Sequence, residues 1–389
     1  MNQGRTVFSQ IMEYVSHNEF NRCVQRYHGN KSVRRFTCWD QFMVMAFAQL
    51  TYRESLRDIT VCLNAQQRKL YHSGLSHAVK RSTLAEANER RDWRIYADLA
   101  HSLIDIARPL YSNTDIGLEI ETAVYALDST TIDLCLSLFP WAKFRKTKAA
   151  IKLHTLMDMH GSIPTFIDIT HGKCHDLNVL DNLPVQAGAF IVMDRGYIDF
   201  ARLFALHLSL AFFVIRAKEN LKFKRQSSRP IDWSTGLRSD QTIILTGPRA
   251  KDRYSLPLRR VTYYSKDQDK HYVFLTNNFT IEALTIADLY HKRWLIELFF
   301  KWIKQHLRIK QFFGTSINSV KTQIWIAICV YLLIAILKQR LALEDSIYTI
   351  LQVLSVSLFE KTPIQSLFRP SAQPFSQPTS SKQLDLFDI

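Results

Sequence analysis

The stretch Thr122–Leu127, TAVYAL, runs directly into Asp128, Ser129 and Thr130. Six apolar or β-favouring residues bounded by small polar ones have the length and composition of a buried strand, too short for a helix. Ile151–Met157 (IKLHTLM), Ile163–Ile169 (IPTFIDI), Phe190–Met193 (FIVM) and Leu210–Ile215 (LAFFVI) have the same texture. Gly161 marks a tight hairpin between the second and third of these strands. Helical stretches are expected near Leu177–Leu183 and Phe200–Leu208. The order is three strands, helix, strand, helix, strand, which suits a mixed α/β sheet that begins as a meander.

On either side of this block the texture changes. From Val7 to about Ser112, apolar residues recur at three- and four-residue steps, predicting an all-α region. Glu54–Leu63 and Thr83–Leu103 read as two of its helices, the second opened by a capping box of Thr83 and Glu86. Sixteen basic residues face eleven acidic ones over residues 1–115, with Lys80, Arg81, Arg90, Arg91 and Arg94 gathered around the second helix. A helical DNA-binding domain and a merely solvated charged face both account for that. Residues 218–274 interrupt the sheet pattern with thirteen basic against six acidic residues and short strands such as Thr242–Leu245 and His271–Thr276. So basic an insertion is expected to grip a polyanion. A long helix is predicted over Ile281–Phe312 and a buried apolar helix over Ile324–Leu337, and a Pro-, Ser- and Gln-rich tail begins beyond Thr362. The expected division is 1–115 (helical DNA-binding), 116–217 (first part of the core), 218–278 (basic β-rich insertion), 279–345 (second part of the core) and 346–389 (helix and tail).

The 389 residues carry a formal net charge of +15, which points to a polyanionic partner such as nucleic acid. The six cysteines are scattered without a CxxC pair, so neither a zinc ribbon nor a disulfide framework is indicated, and a reducing cytoplasm fits. His171, Cys174 and His175 cluster, but no second ligand group stands at finger spacing. The N-terminus lacks the apolar stretch of a signal peptide. Ile324–Leu337 is shorter than a bilayer span and is bracketed by Lys321 and Lys338, so no membrane role is expected.

Asp128 closes the strand AVYAL, and Asp194 closes FIVM before Arg195, Gly196 and Tyr197, where the glycine is expected to permit close approach. Two carboxylates at neighbouring strand ends are placed to share a divalent cation. Taken singly, each also suits a turn or helix cap. Asp158, Asp168, Asp176 and Asp181 compete for the role, but none closes a buried strand as cleanly.

The most specific pattern is Tyr290, Arg293, Glu297 and Lys304 within DLYHKRWLIELFFKWIKQHL. At about 100° per residue, these four fall within an arc of about 60° on one helix face. Leu289, Ile296, Phe299, Phe300, Ile303 and Leu307 occupy the adjoining sector, so the helix is able to pack on a sheet and present the polar stripe along its rim. A surface ladder of ion pairs would explain Arg293 and Glu297 but not the tyrosine or the surrounding cations, Lys301 among them. Phosphodiester chemistry uses such a set: carboxylates to hold hard cations, an arginine fork for a phosphate, a lysine as point charge and a tyrosine to hydrogen-bond the backbone.

At these residues the chain resembles the DDE transposases of the bacterial insertion-sequence-4 family. The matching pieces are Asp128-Ser-Thr, Asp194-Arg-Gly-Tyr and the spaced Tyr290, Arg293, Glu297, Lys304, and the likeness covers roughly residues 118–337. The resemblance implies a ribonuclease H-like mixed sheet flanked by helices, with a β-rich insertion before the glutamate and an N-terminal domain that binds terminal inverted repeats. It implies that Asp128, Asp194 and Glu297 bind two Mg²⁺ ions, with Mn²⁺ as a substitute, and that Arg293 and Lys304 contact phosphates while Tyr290 positions the DNA end. Lys301 and Arg195 are further candidate DNA contacts. Double-stranded DNA is the implied partner, a homodimer the implied assembly, and cut-and-paste transposition, with a hairpin step in the family scheme, the implied reaction. Trp294 and Trp233 suit either packing or stacking on a flipped base. Lys152 and His154 suit either DNA contact or the solvent face of an edge strand. An endonuclease without strand transfer and an inactive DNA-binding regulator are the competing functions.

Overall fold

A computed structural model describes residues 4–71, 74–75, 77–120, 122–306 and 312–368. Nine strands among them form one sheet: β1 (Val124–Leu134), β2 (Ala149–Asp158), β3 (Ile163–His171), β4 (Phe190–Met193), β5 (Phe212–Arg216), β6 (Phe223–Arg229), β7 (Leu237–Leu245), β8 (Leu258–Ser265) and β9 (Lys270–Thr276). Their order across the sheet is β3-β2-β1-β4-β5-β9-β8-β7-β6. β1, β2 and β3 are the expected antiparallel meander, and β4 and β5 add in parallel beside β1. This is the ribonuclease H-like arrangement.

The central strands are apolar on both sides because both sides are covered. Val124, Ala126, Val192 and Val214 point into one core, with the N-terminal helices. The intervening residues Tyr125, Leu127, Ile191, Met193, Phe213 and Ile215 point into a second core, with Leu203 and Leu206. A period of two thus divides each strand between two layers.

The basic insertion is β-rich as expected, but it builds no separate sheet. β6 to β9 continue the main one, and β9 returns antiparallel to β5. Its inner anchor is a bidentate pair: the Arg259 guanidinium donates to both carboxylate oxygens of Asp240 at 2.9 and 2.8 Å, with both side chains under 5% exposed. A third donor of Arg259 reaches the Ile281 carbonyl at 2.6 Å, tying the insertion to the segment that follows it.

The helices are α1 (Val7–Met12), α2 (His17–Arg26), α3 (Cys38–Leu50), α4 (Leu56–Ala65), α5 (Gln67–Leu70), α6 (Arg81–Arg90), α7 (Arg94–Tyr111), α8 (Phe200–Leu208), α9 (Pro248–Arg253), α10 (Ala283–Lys292), α11 (Trp294–His306), α12 (Ile317–Arg340) and α13 (Ile347–Ser357). By length and composition α12 would cross a membrane, yet 94% of its apolar window is buried inside the protein, as expected of a core helix. It is wrapped by α3, α6, α7 and α13. The Tyr111 hydroxyl donates to the Ala335 carbonyl at 2.8 Å, and Asn318 donates to the carbonyls of Asn88 and Arg91 at 2.9 and 2.7 Å.

Several local expectations are corrected. Thr83–Leu103 is two helices, with Arg91 extended between them and Asp92 accepting from the Arg94 backbone at 2.9 Å. The capping box of Thr83 and Glu86 is absent, since α6 starts at Arg81 with no side-chain cap. The long helix predicted from Ile281 is broken at Arg293, where Arg293 N–H bonds the Tyr290 carbonyl and Ile296 N–H the Arg293 carbonyl in tight three-residue steps. Leu307, Arg308 and Lys310 lie outside the described residues. Leu177–Leu183 coils as a 3-10 turn, Asp176–Asn182. The chain beyond Thr362 first docks on α1: Gln10 donates to the Thr362 carbonyl at 2.8 Å and accepts from Ile364 N–H at 3.2 Å. The rest of the expected tail, 369–389, is outside the described residues.

Candidate active site

Register brings the two aspartates together. β1 and β4 run parallel with Leu127 opposite Met193 as their last pair, so the next residues on the two chains are Asp128 and Asp194, on neighbouring strands spaced about 4.8 Å apart. After Met193 the chain turns into a single 3-10 turn, Arg195–Tyr197, with Asp194 at its cap position. Asp128 does not end its strand as the sequence suggested. β1 runs on to Leu134 against β2, and only its parallel partner stops. Gly196 is not demanded by packing, since a Cβ there would meet nothing within 4 Å and the backbone is not left-handed.

The third carboxylate arrives on the first turn of α11. Arg293, at the break between α10 and α11, donates to Asp128 Oδ2 at 2.7 Å and to Glu297 Oε1 at 2.5 Å. Its side chain is 14% exposed, and its Nε is buried with no hydrogen-bond partner among the described residues. The Tyr290 hydroxyl donates to Asp194 Oδ1 at 3.0 Å. Tyr290 packs on Phe274 of β9 with centroids 4.8 Å apart, so the end of the insertion sets its position. The stripe predicted from helical spacing therefore meets both aspartates, with each carboxylate engaged by one stripe residue.

Burial raises the Asp128 carboxyl above the ordinary aspartate range, and the negative charges of Asp194 and Glu297 add to the shift against the opposing pull of Arg293 and the Ser129 N–H. Burial and the Asp194 charge push the Tyr290 phenol up to about 12, so it remains a neutral donor at physiological pH. The guanidinium of Arg293 is raised in spite of desolvation, because Asp128, Tyr290 and Glu297 stabilise its charge.

Lys304, Lys301 and Arg195 are exposed and make no hydrogen bond or ion pair with these carboxylates among the described residues. Lys301 borders an apolar groove with Trp302, Tyr331 and Tyr348. Trp294 is 46% and Trp233 64% exposed, the latter with the Arg238 guanidinium 5.6 Å from its ring centroid.

Two of the competing carboxylates are committed to other partners: Asp158, opposite Tyr125 at the last residue of β2, pairs with His160 and Arg108, and Asp181 pairs with Arg202. Asp176 was weighed but not placed by its sequence context. It accepts from Ser129 Oγ at 2.8 Å and from Lys152 Nζ at 3.1 Å, forming a second polar knot beside Asp128. Lys152 and His154 are not on an edge strand, because β3 covers β2. His154 is 1% exposed, bonded through Nε2 to Thr170 at 2.8 Å, and burial keeps it neutral. The buried hydroxyl of Tyr197, which the sequence places in the Asp194-Arg-Gly-Tyr motif without a role of its own, lies beside Ser129 and Asp176 in this knot. Cys174 gives its carbonyl to Lys152, and the His175 ring caps the following turn.

Three hard carboxylate donors facing one another suit divalent cations. Among the described residues, no three acidic, His or Cys side chains stand close enough to hold one ion as they are. The donor chemistry fits, and Arg293 stands between two of the donors.

The family described as "Transposase DDE domain" matches residues 120–333, which hold all three carboxylates and the whole stripe. The chain belongs to the DDE transposases. A DDE transposase is a divalent-metal-dependent, DNA-cleaving and DNA-joining enzyme, and the insertion-sequence setting is borne out by the relatives. A putative transposase of Sinorhizobium fredii is 32% identical over 291 residues, covering 74% of this transposase and 80% of the relative. A probable transposase for insertion sequence element IS5377 of Geobacillus stearothermophilus is 32% identical over 220 residues, 56% of this chain and 57% of the relative. A putative transposase for insertion sequence element IS4SA of Synechocystis is 26% identical over 268 residues, 66% of this chain and 71% of the relative. Residues 3–76 match a separate family described as "Domain of unknown function (DUF4372)". A piggyBac transposase synaptic complex with hairpin DNA aligns with a TM-score of 0.46 at 11% identity, over 96% of this chain and 87% of that one.

Proposed function

We propose that this DDE transposase works by cut-and-paste at the ends of an insertion sequence of the insertion-sequence-4 type, with Asp128, Asp194 and Glu297 as ligands of two Mg²⁺ ions, replaceable by Mn²⁺. The observation that carries this reading is the parallel register that sets Asp128 beside Asp194, with Arg293 linking Asp128 to Glu297. When bound, such ions activate an oxygen nucleophile and neutralise the charge that develops on the leaving oxygen. The chain's own residues do the rest. Asp128, Asp194 and Glu297 supply the oxygen cage, Arg293 and Tyr290 orient the scissile phosphate, and Lys304, Lys301 and Arg195 hold flanking phosphates. Trp294 and Trp233 offer exposed rings to an unstacked base.

In this reading residues 1–115 recognise the terminal inverted repeats, 116–217 and 279–345 form the catalytic core, 218–278 grip the DNA, and 346–389 close the chain. The enzyme works as a homodimer holding two ends, on the bacterial nucleoid in the cytoplasm. The test is incubation of the purified protein with Mg²⁺ and a duplex carrying the repeats that flank its gene. Nicks, hairpins and joined products at the repeat boundary are expected, and their absence with the unaltered protein under conditions where it binds the duplex would refute the assignment.

A further inference from the structure

We propose that Arg293 is the internal counter-ion of the catalytic carboxylates: its guanidinium competes with the divalent metal for Asp128 and Glu297, and the DNA phosphate, by drawing it off, tightens metal binding. The proposal rests on the assignment of the triad as the metal site and adds a control of that site's occupancy.

Three observations carry it. First, the two guanidinium nitrogens of Arg293 are spent on carboxylates from different elements, Asp128 of β1 and Glu297 of α11, at 2.7 and 2.5 Å. A cation already neutralises two of the carboxylates that would hold the metal. Second, no trio of potential ligands among the described residues is close enough to hold an ion without rearrangement. Because Tyr290 covers Asp194, filling the site means exchanging protein donors for the metal. Third, the Arg293 Nε–H is buried with no hydrogen-bond partner among the described residues. Two of its three nitrogens donate to the triad and the third does not, so a phosphate offering several acceptor oxygens is a better partner for the planar fork than the arrangement it leaves. Arg293 is itself the break between α10 and α11, where a side chain is able to swing without disturbing a continuous helix.

Retaining the guanidinium beside an incoming divalent ion sets like charges side by side, which opposes metal entry in the DNA-free protein. Removing it to a phosphate leaves the carboxylates unneutralised and raises their affinity for the metal. Metal and DNA therefore bind cooperatively, and by linkage the coupling is the same in both directions.

The test uses the full-length protein and Mn²⁺ as the probe, with binding followed by calorimetry and by the Mn²⁺ electron paramagnetic resonance signal. Arg293→Gln, without DNA, is expected to bind Mn²⁺ roughly tenfold tighter than the unaltered protein, the effect of deleting one neighbouring positive charge. A mixed-sequence duplex is expected to tighten Mn²⁺ binding by the unaltered protein and to leave Arg293→Gln nearly unchanged. Equal or weaker binding by Arg293→Gln would overturn the proposal. Folding is checked by melting in chelator and in Mn²⁺, where the variant is expected to melt lower than the unaltered protein in chelator and to recover in Mn²⁺. Arg293→Lys, which keeps the charge without the fork, is expected to retain weak Mn²⁺ binding, and tight binding by it would count against a charge-based block. Asp128→Asn and Glu297→Gln separate the two levels of the account. If they leave Mn²⁺ binding intact, the triad assignment itself fails. If they abolish it while Arg293→Gln changes nothing, only the counter-ion role fails.

Discussion

Asp128 lies where β1 has lost its parallel neighbour but keeps its antiparallel one, so its carboxylate faces both a buried sheet and an open strand end. Replacing Asp128, Asp194 or Glu297 with Ala is expected to reduce end cleavage by about a thousandfold or more, while binding to the ends survives. A gel assay of nicking against a filter assay of binding checks this, and undiminished nicking by any one variant removes that residue from the triad. The acid side of the pH profile carries a second expectation. The Asp128 carboxyl is raised, so it takes up a proton at a higher pH than an exposed aspartate, and cleavage that needs it ionised is lost earlier as pH falls. Cleavage measured at subsaturating metal is expected to fall off above the ordinary aspartate range, and an acid limb at or below that range would contradict it. At this scale much was legible. Two strands ending in Asp, and a stripe repeating at helical spacing, named five residues that the fold brings together. What escaped was whom they would touch: Arg293 and Tyr290 read as phosphate ligands, and although the four-residue spacing allowed an Arg293–Glu297 pair, the sequence carries no sign that Arg293 reaches Asp128 or that Tyr290 reaches Asp194. Asp176 and Tyr197 escaped for a similar reason, since their place depends on how the chain after β3 and β4 folds back over β1.

Among the elements, the insertion is the one whose arrangement the sequence concealed. Its basic surplus and short strands were visible, but β6 to β9 pair onto β5 only because β9 finds the β5 edge, a contact between residues about 60 apart in the chain. The Arg259 and Asp240 pair then locks that extension to the start of α10, whose Tyr290 meets Asp194. Asp240→Ala leaves a buried guanidinium uncompensated, and a loss of about 3–5 kcal/mol is expected in thermal or denaturant unfolding. A change within experimental error would show that water or another group satisfies Arg259. The same loss is expected to weaken cleavage through Tyr290, although neither residue lies at the site. The helix boundaries were less legible. Asp92 and Arg293 interrupt helices whose apolar period runs on unbroken, and a side-chain acceptor or a tightened turn outweighs periodicity at a single residue.

For the whole molecule, the decisive feature is that the N-terminal helices and the catalytic sheet share one core around α12. The sequence predicted α12 as buried without saying what buries it, and three of the four helices that do so, α3, α6 and α7, come from the region marked out as a DNA-binding unit. Deleting residues 1–115 is therefore expected to expose the α12 surface and give aggregated or unfolded protein. Circular dichroism and gel filtration of the truncated chain check this, and a folded monomer with intact cleavage would contradict it. Recognition of DNA ends by that region is better tested by substituting exposed cations such as Arg81 and Arg90 in the full chain. Binding is expected to weaken in a salt-dependent manner, and an unchanged salt slope would remove them from the contact surface.

The claim on which the whole account depends is that three carboxylates from β1, the turn after β4 and α11 together form one metal site. Fe²⁺ loaded in place of Mg²⁺ and supplied with hydrogen peroxide and ascorbate generates hydroxyl radicals that cut the polypeptide next to its ligands, and the fragments report where the metal sits. With DNA bound, cuts are expected close to Asp128, Asp194 and Glu297 together, all suppressed by excess Mg²⁺. Cuts clustered elsewhere, or near the aspartates without Glu297, would contradict it.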